Sequence, residues 1–252
     1  MQVTLKNRLS KHELAELMTL SYRSLSCRSH DELKQLVLDL HNIFDFNNTL
    51  YARANVSNLL KSDESQPMEI YNISYPTDFL QNYLSNRHYI LDASIRELVT
   101  NLSPVDCHST TSRGSEEYIA FVQKNHFTSA QTWMHGALDL SESKMVGFSF
   151  VGPMSESSER VLEILKFIIP FYSEAFNRIS RNVEKASFNL TPREIEVLQW
   201  IKEGKSSWDI SVLYNCSKRT VDFHVENAKT KLNAVSRAQA VAIALHHGII
   251  IF

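Results

Sequence analysis

Asp106-Cys107-His108-Ser109 sets a carboxylate, a thiol, an imidazole and a hydroxyl side by side. These are the groups of nucleophilic catalysis, in which a base takes the proton of an attacking thiol or hydroxyl. Neighbouring side chains point apart, however, and neither a Gly-x-Ser-x-Gly turn nor a glycine-rich phosphate loop accompanies them. No catalytic role is expected, and the chain reads as a non-enzyme. His246-His247 stands without partners at metal-ligand spacing, so no metal or cofactor is expected either. A second concentration lies in the last quarter of the chain. Lys218, Arg219 and Thr220 open a segment that continues through Asp222, Glu226, Lys229 and Lys231. Cations and hydroxyls at a helix start suit phosphate contacts, to which the helix dipole adds. Asp222 and Glu226, four apart, share a helix face. A carboxylate there can accept from cytosine N4, or can simply pair with Lys218, Arg219 or Lys229.

The elements that must position these residues follow from periodicity. The segments 10–27 and 29–46 have helical spacing, with Leu33, Leu36, Val37, Leu40 and Ile43 on one face. Segments 48–55 and 68–74 read as strands, with a loop at 63–67 between them. Helices are expected over 76–87, 92–102 and 116–124, and strands over 127–135, 137–140 and 144–152, with a hairpin turn at 141–144. A long helix from Ser155 to about Arg181 should be kinked by Pro170, which lacks a donor. The fold class is α+β: an N-terminal α/β/α sandwich around an antiparallel sheet. We assign it to 1–181, with a polar, aperiodic linker at 182–189.

From 190 to 252 the signals are denser. Thr191-Pro192-Arg193-Glu194 is a capping box with Pro at the first helical position. Gly204 is placed to end that helix in a left-handed conformation. Ser206 and Ser217 start two further helices joined by a short turn, and Ser236-x-x-Gln239 opens a fourth, closed by Gly248. Four short helices with that middle turn make a helix-turn-helix pattern. On spacing alone, a plain helical bundle with a solvated face remains open.

Composition sets the bounds. The 252 residues carry 26 Lys+Arg against 28 Asp+Glu and are 43% hydrophobic. That excludes wholesale disorder, whose signature is few apolar residues and high net charge. The segment 188–252 holds eight basic and six acidic residues, leaving eighteen and twenty-two elsewhere, so a mildly basic module follows an acidic body. Cys27, Cys107 and Cys216 are odd in number and far apart, which indicates no disulfide framework. The N-terminus has no apolar core of a secretory signal, and no stretch approaches ~18 apolar residues. A cytoplasmic protein with no membrane partner is expected.

The segment from Leu190 to Ile250 resembles the DNA-binding domain of LuxR-type transcription factors. Leu190, Thr191, Arg193, Glu194, Glu196, Leu198, Trp200, Gly204, Lys205, Ile210, Leu213, Ser217, Thr220, Val221, His224, Asn227, Lys231, Leu232, Arg237 and Ala240 all match its pattern. Asp209 stands where Glu is usual. The resemblance makes the segment starting at Ser217 a recognition helix. It adds Lys205, Ser217 and His224 to the residues expected at double-stranded DNA, and implies a homodimer on a roughly palindromic site.

Upstream, Tyr75-Pro76-x-x-Phe79-x-x-x-Tyr83, then Asp92 and Ser103-Pro104-Val105, resemble the signal-binding segment of quorum-sensing LuxR-type receptors. The resemblance implies a transcription regulator whose sandwich encloses a small diffusible signal such as an N-acyl-homoserine lactone. Tyr83 would bond the acyl carbonyl and Asp92 the amide N–H, with Tyr75 and Ser149 near the acyl chain. Departures are Phe79 at a tryptophan position, Ala93 for proline, Cys107 for a second pocket tryptophan and Ala130 for glycine. Phe79 cannot donate to a lactone carbonyl, and Trp133 is the ring expected to fill the space left at Cys107. The same fold could also serve a non-lactone signal or none. A signal-processing enzyme fused to a helix-turn-helix module is the competing class.

Overall fold

The computed structural model describes residues 8–61, 68–125, 130–140 and 142–251. The expected loop at 63–67, the first residues of the expected strand at 127 and Ser141 of the hairpin turn lie outside them. The chain divides into two compact units, Met1–Asn177 and Arg178–Phe252.

The first unit begins with α1 (Lys11–Ser26), whose Ser10–Glu13 capping box satisfies the orphan amides of its first turn. Then come α2 (His30–Asp39) and a single 3-10 turn at Leu40–Asn42, which ends the expected 29–46 helix early. Strand β1 (Asn48–Asn55) follows as expected. Next are α3 (Val56–Lys61), β2 (Glu69–Asn72), α4 (Thr77–Ser85), α5 (His88–Leu91), α6 (Ala93–Asn101), β3 (Val105–Asp106), α7 (Cys107–Thr111) and α8 (Glu116–Lys124). The unit closes with β4 (Ala130–Asp139), β5 (Lys144–Pro153) and the start of α9 (Ser158–Ser187).

The five strands pair antiparallel in the order β2-β1-β5-β4-β3. β4 runs unbroken where the sequence suggested two strands. Gly136 lies opposite Gly147, and a Cβ there would come within 2.3 Å of the Val146 carbonyl, so glycine permits the close pairing. One sheet face carries Tyr51, Phe148, Phe150 and Trp133 against α9 and α2. Phe176 meets Tyr51 edge-on at 5.5 Å, and the Tyr172 hydroxyl donates to the Leu36 carbonyl at 2.8 Å. The other face looks toward α3–α8. Helices therefore cover both faces, giving the α/β/α sandwich.

His135 is buried on the α9 face, and its Nδ1 has no hydrogen-bond partner among the described residues. Burial, helped by the Lys166 charge, pushes its imidazole down to about 4. Between that value and the ordinary ~6.5 the unfolded chain binds more protons than the folded one. This group's contribution is therefore intact above about pH 6.5 and is lost as the pH falls toward 4. Urea unfolding at pH 7 and 4.5 should show a loss of about 2–3 kcal/mol that His135→Phe abolishes. Equal pH dependence in both proteins would remove His135 from the acid response.

α9 continues to Ser187, through most of the segment we assigned as a linker. Asn182-Val-Glu-Lys-Ala-Ser187 lacks apolar periodicity, but Glu, Lys and Ala are strong helix formers and propagate a helix already nucleated upstream. The boundary between the compact units falls inside this helix, at Asn177, rather than at 182–189. Pro170 lies within α9 without ending it.

The second unit holds α10 (Pro192–Lys202), α11 (Ser207–Leu213), α12 (Lys218–Lys231) and α13 (Arg237–His246). The expected Thr191–Glu194 capping box is formed, and a second, Ser206–Asp209, opens α11. Gly204 takes φ +80°, the left-handed end expected of it. Between α11 and α12 the chain turns through Asn215 at φ 49°. Val197, Ile210, Val221 and Val225 lock α10, α11 and α12 together; Leu198, Ala228, Leu232, Ala240 and Ala244 join α13.

Candidate functional site

Between the sheet and α3–α8 lies a cavity of about 410 Å³, within the ~300–1,000 Å³ range of small-molecule sites. Alternation along the strands supplies its floor. Leu50 and Ala52 of β1, Thr132 and Met134 of β4, and Gly147 and Ser149 of β5 all line it. The helices supply walls of Ile95, Leu98 and Val99, with Phe79, Tyr83, Tyr89 and Tyr118 among the rings. Phe79 stacks between Tyr75 and Tyr83, with ring centroids 5.9 Å from each, and on Phe121 at 5.1 Å.

Few polar groups reach this apolar space. Asp92 is buried and is the N-cap of α6, accepting from the Ser94 amide through Oδ1 at 2.9 Å. Its Oδ2 accepts from the Tyr83 hydroxyl at 2.9 Å. A carboxylate offers about four acceptor directions, so capping leaves room for a further donor. Tyr75 and Ser149 share a 2.8 Å hydroxyl–hydroxyl bond. Burial pushes the Tyr75, Tyr83 and Tyr118 phenols up, and the Asp92 charge adds to this, so all three remain protonated donors. The cavity can therefore hold an extended apolar group while presenting one carboxylate and several hydroxyls to a polar head.

Six of the seven residues expected at a ligand come together here: Tyr75, Phe79, Tyr83, Asp92, Cys107 and Ser149 all line the cavity. Trp133 does not, and that expectation is corrected. It sits between Thr132 and Met134 on β4, so it points through the opposite sheet face. There it is fully buried against Phe44, over Gly152, with its indole N–H donating to Ser158 at 2.9 Å. A Cβ on Gly152 would lie 2.6 Å from that ring. Tyr118 is among the cavity residues the sequence reading missed. Its signal was the apolar face of the expected 116–124 helix, where it is followed by Phe121 and Val122.

Asp106-Cys107-His108-Ser109 folds as the start of α7. Asp106 caps the helix through the His108 amide and also accepts from the Ser158 hydroxyl. Burial pushes the Cys107 thiol well up, with the Asp92 charge adding to it, whereas an attacking cysteine needs its thiolate. His247 pairs with Glu184 at 3.4 Å.

On α12, Ser217 is the N-cap and accepts from the Thr220 amide. Lys218, Arg219 and Thr220 are exposed in the first turn, and Lys205 is exposed between α10 and α11. No ion pair holds Lys218 or Arg219 among the described residues. Asp222 and His224 are half-buried. Glu226 is held by Lys229 at 2.8 Å, the plain pairing of the two readings. The Lys231 ammonium is bound by Glu194 of the α10 capping box, at 2.8 and 3.0 Å, so it ties two helices together. Burial pushes the Glu194 carboxyl up, but the bonds from Lys231 and Thr191 outweigh this and hold it below its ordinary value. The long reach from α10 to α12 is invisible to local spacing.

Comparison with known proteins gives two matching family models: the autoinducer binding domain over residues 29–168 and the luxR family of bacterial regulatory proteins over 188–244. The chain is similar to the transcriptional activator VanR of Vibrio anguillarum, 25% identical over 93% of this chain and 98% of that protein. It is 43% identical to the transcriptional activator LuxR of Aliivibrio fischeri over 34% of each chain. Its fold is similar to that of Escherichia coli SdiA in complex with octanoyl-rac-glycerol, with a TM-score of 0.57, 16% identity, and coverage of 97% of this chain and 99% of that one. No helix among the described residues is long and apolar enough to cross a membrane.

Proposed function

The chain belongs to the luxR family of bacterial regulatory proteins with an autoinducer-binding domain, and from that premise we propose that its cavity takes an N-acyl-homoserine lactone or a closely related acylated signal. Occupancy then governs binding of a homodimer to roughly two-fold symmetric double-stranded DNA in the cytoplasm. The observation that carries this reading is the Asp92–Tyr83 pair set in a predominantly apolar cavity.

An acylated amide fits that pair by exchange. Its N–H takes the place of the Tyr83 hydroxyl at Asp92, and the freed hydroxyl turns to donate to the acyl carbonyl. The amide, the carboxylate and the phenol then all keep partners, the condition for burying them in a dry site. Tyr75 and Ser149 offer their hydroxyls to a substituent along the chain, and the aliphatic residues take its end. α12 enters the major groove, with Lys218, Arg219 and Thr220 at phosphates, joined by Lys205, Ser217 and His224. Mass spectrometry of the small molecule retained by the purified protein tests the signal directly. A lactone or other acyl amide supports the reading, and an unacylated compound overturns it.

Phe79 favours a second reading on one point. It lines the cavity where an indole donor would hold a lactone carbonyl, and it has none to give. An acylated head without that carbonyl suits this chain; octanoyl-rac-glycerol, bound by the structural neighbour, has that character. Phe79→Trp should therefore tighten binding of unmodified acyl-homoserine lactones about five- to tenfold, the worth of one hydrogen bond of about 1 kcal/mol or slightly more. Titration calorimetry with a lactone series measures it. Unchanged affinity would show that no lactone carbonyl lies near residue 79.

A further inference from the structure

α12 buries Val221, Val225, Ala228 and Leu232, while Arg219, Asp222, Phe223 and Glu226 follow at spacings of three and four on the opposite face. Phe223 is 62% exposed at the centre of that face. Its one ring neighbour among the described residues is His224, at 5.8 Å. The unit's packing does not use it, since both hydrophobic clusters close without it. We propose that Phe223 is a base-reading residue whose ring packs on the C5-methyl group of a thymine in the major groove.

Three observations select this occupant. The cations Lys218 and Arg219 begin the same helix and draw it to a polyanion. Asp222, beside Phe223, has no ion pair among the described residues and would be repelled by phosphates, so this part of α12 faces base edges rather than backbone. Thymine alone presents an apolar group in the major groove, and phenylalanine is among the side chains that contact it. Asp222 has a compatible target in cytosine N4, on the same outer edge of a pyrimidine. Phenylalanine and carboxylate together therefore favour a pyrimidine-containing strand, with thymine specified at one position. This rests on the DNA-binding reading of the helix-turn-helix unit.

The full-length protein is first used to select sites from a random double-stranded DNA library at one fixed salt concentration. Each thymine of the selected site is then replaced by deoxyuridine, which removes the methyl group and keeps every hydrogen-bonding edge. Wild type should bind about fourfold more weakly at one thymine per half-site, the worth of one buried methyl, and be indifferent at the others. Phe223→Ala should bind the thymine and uracil sites alike, while Phe223→Leu, which keeps an apolar contact, should retain part of the difference. Indifference of wild type to every replacement, or full discrimination retained by Phe223→Ala, overturns the assignment. If no sequence is enriched by folded protein, the DNA reading itself fails and this assignment falls with it.

Discussion

Asp92→Asn abolishes the thermal stabilisation given by the signal while leaving the ligand-free melting point close to wild type. The separation follows from the two jobs of this carboxylate. Oδ1 caps α6 through the Ser94 amide, a role asparagine performs as well as aspartate. Oδ2 faces Tyr83 and the cavity, where the variant, its one oxygen held by the cap, presents an amide nitrogen that cannot accept the signal's N–H. Asp92→Ala loses both, and should be destabilised by about 1 kcal/mol without ligand as well as unresponsive to it. Wild type at a hundredfold excess over its dissociation constant gains about 2.7 kcal/mol, an easily measured shift of several degrees. Differential scanning fluorimetry against acyl-homoserine lactones of graded chain length makes the comparison. A full shift in Asp92→Asn would reduce Asp92 to a helix cap.

Removing the first-turn cations of α12 should have the largest effect on DNA binding. Lys218 and Arg219 are exposed and bridged to no acid among the described residues, so their charge is available to phosphates. Each contact released lowers the slope of log K against log salt by about 0.9, hence about 1.8 per substitution in a symmetric dimer. Lys218→Ala and Arg219→Ala are expected to weaken binding to all sequences alike and to flatten the salt dependence by that amount. Lys231→Met is the contrast. Its ammonium belongs to the buried Glu194, so it should cost about 2 kcal/mol of stability in the C-terminal unit and leave the slope unchanged. Fluorescence anisotropy between 50 and 300 mM salt, alongside urea unfolding, tells the three variants apart. A wild-type slope in both first-turn variants would take these two residues off the phosphates.

Both predictions draw on features that were legible to different degrees. The capping boxes at Thr191 and Ser206, the left-handed Gly204 and the buried stripe from Val221 to Leu232 are local: each is fixed by residues three or four apart. So is the Asp92 cap of α6, and so is β1, whose expected ends match the structure. The motif spacing from Tyr75 to Asp92 likewise put four cavity residues on or beside neighbouring short helices.

What the chain alone could not decide was which side of the sheet each residue serves. Both faces are covered by helices, so β4 carries large apolar side chains on both sides and alternation tells only that Trp133 and Met134 point apart. The packing of Trp133 on Phe44 and Gly152 settles that it belongs to the α9 side, and so removes it from the cavity. Tyr118 reaches the Asp92 region from α8, across a gap of more than twenty residues in sequence. The Lys231–Glu194 bond joins residues thirty-seven apart in the chain and gives an expected DNA-contact residue a partner within the unit. The end of α9 is of the same kind: composition read 182–189 as a linker, but a nucleated helix propagates to Ser187 through residues that carry no apolar stripe. Local hydrogen bonds and periodicity specify elements. Which face is buried, and which charge is left unpaired, depends on partners brought together only by the tertiary fold.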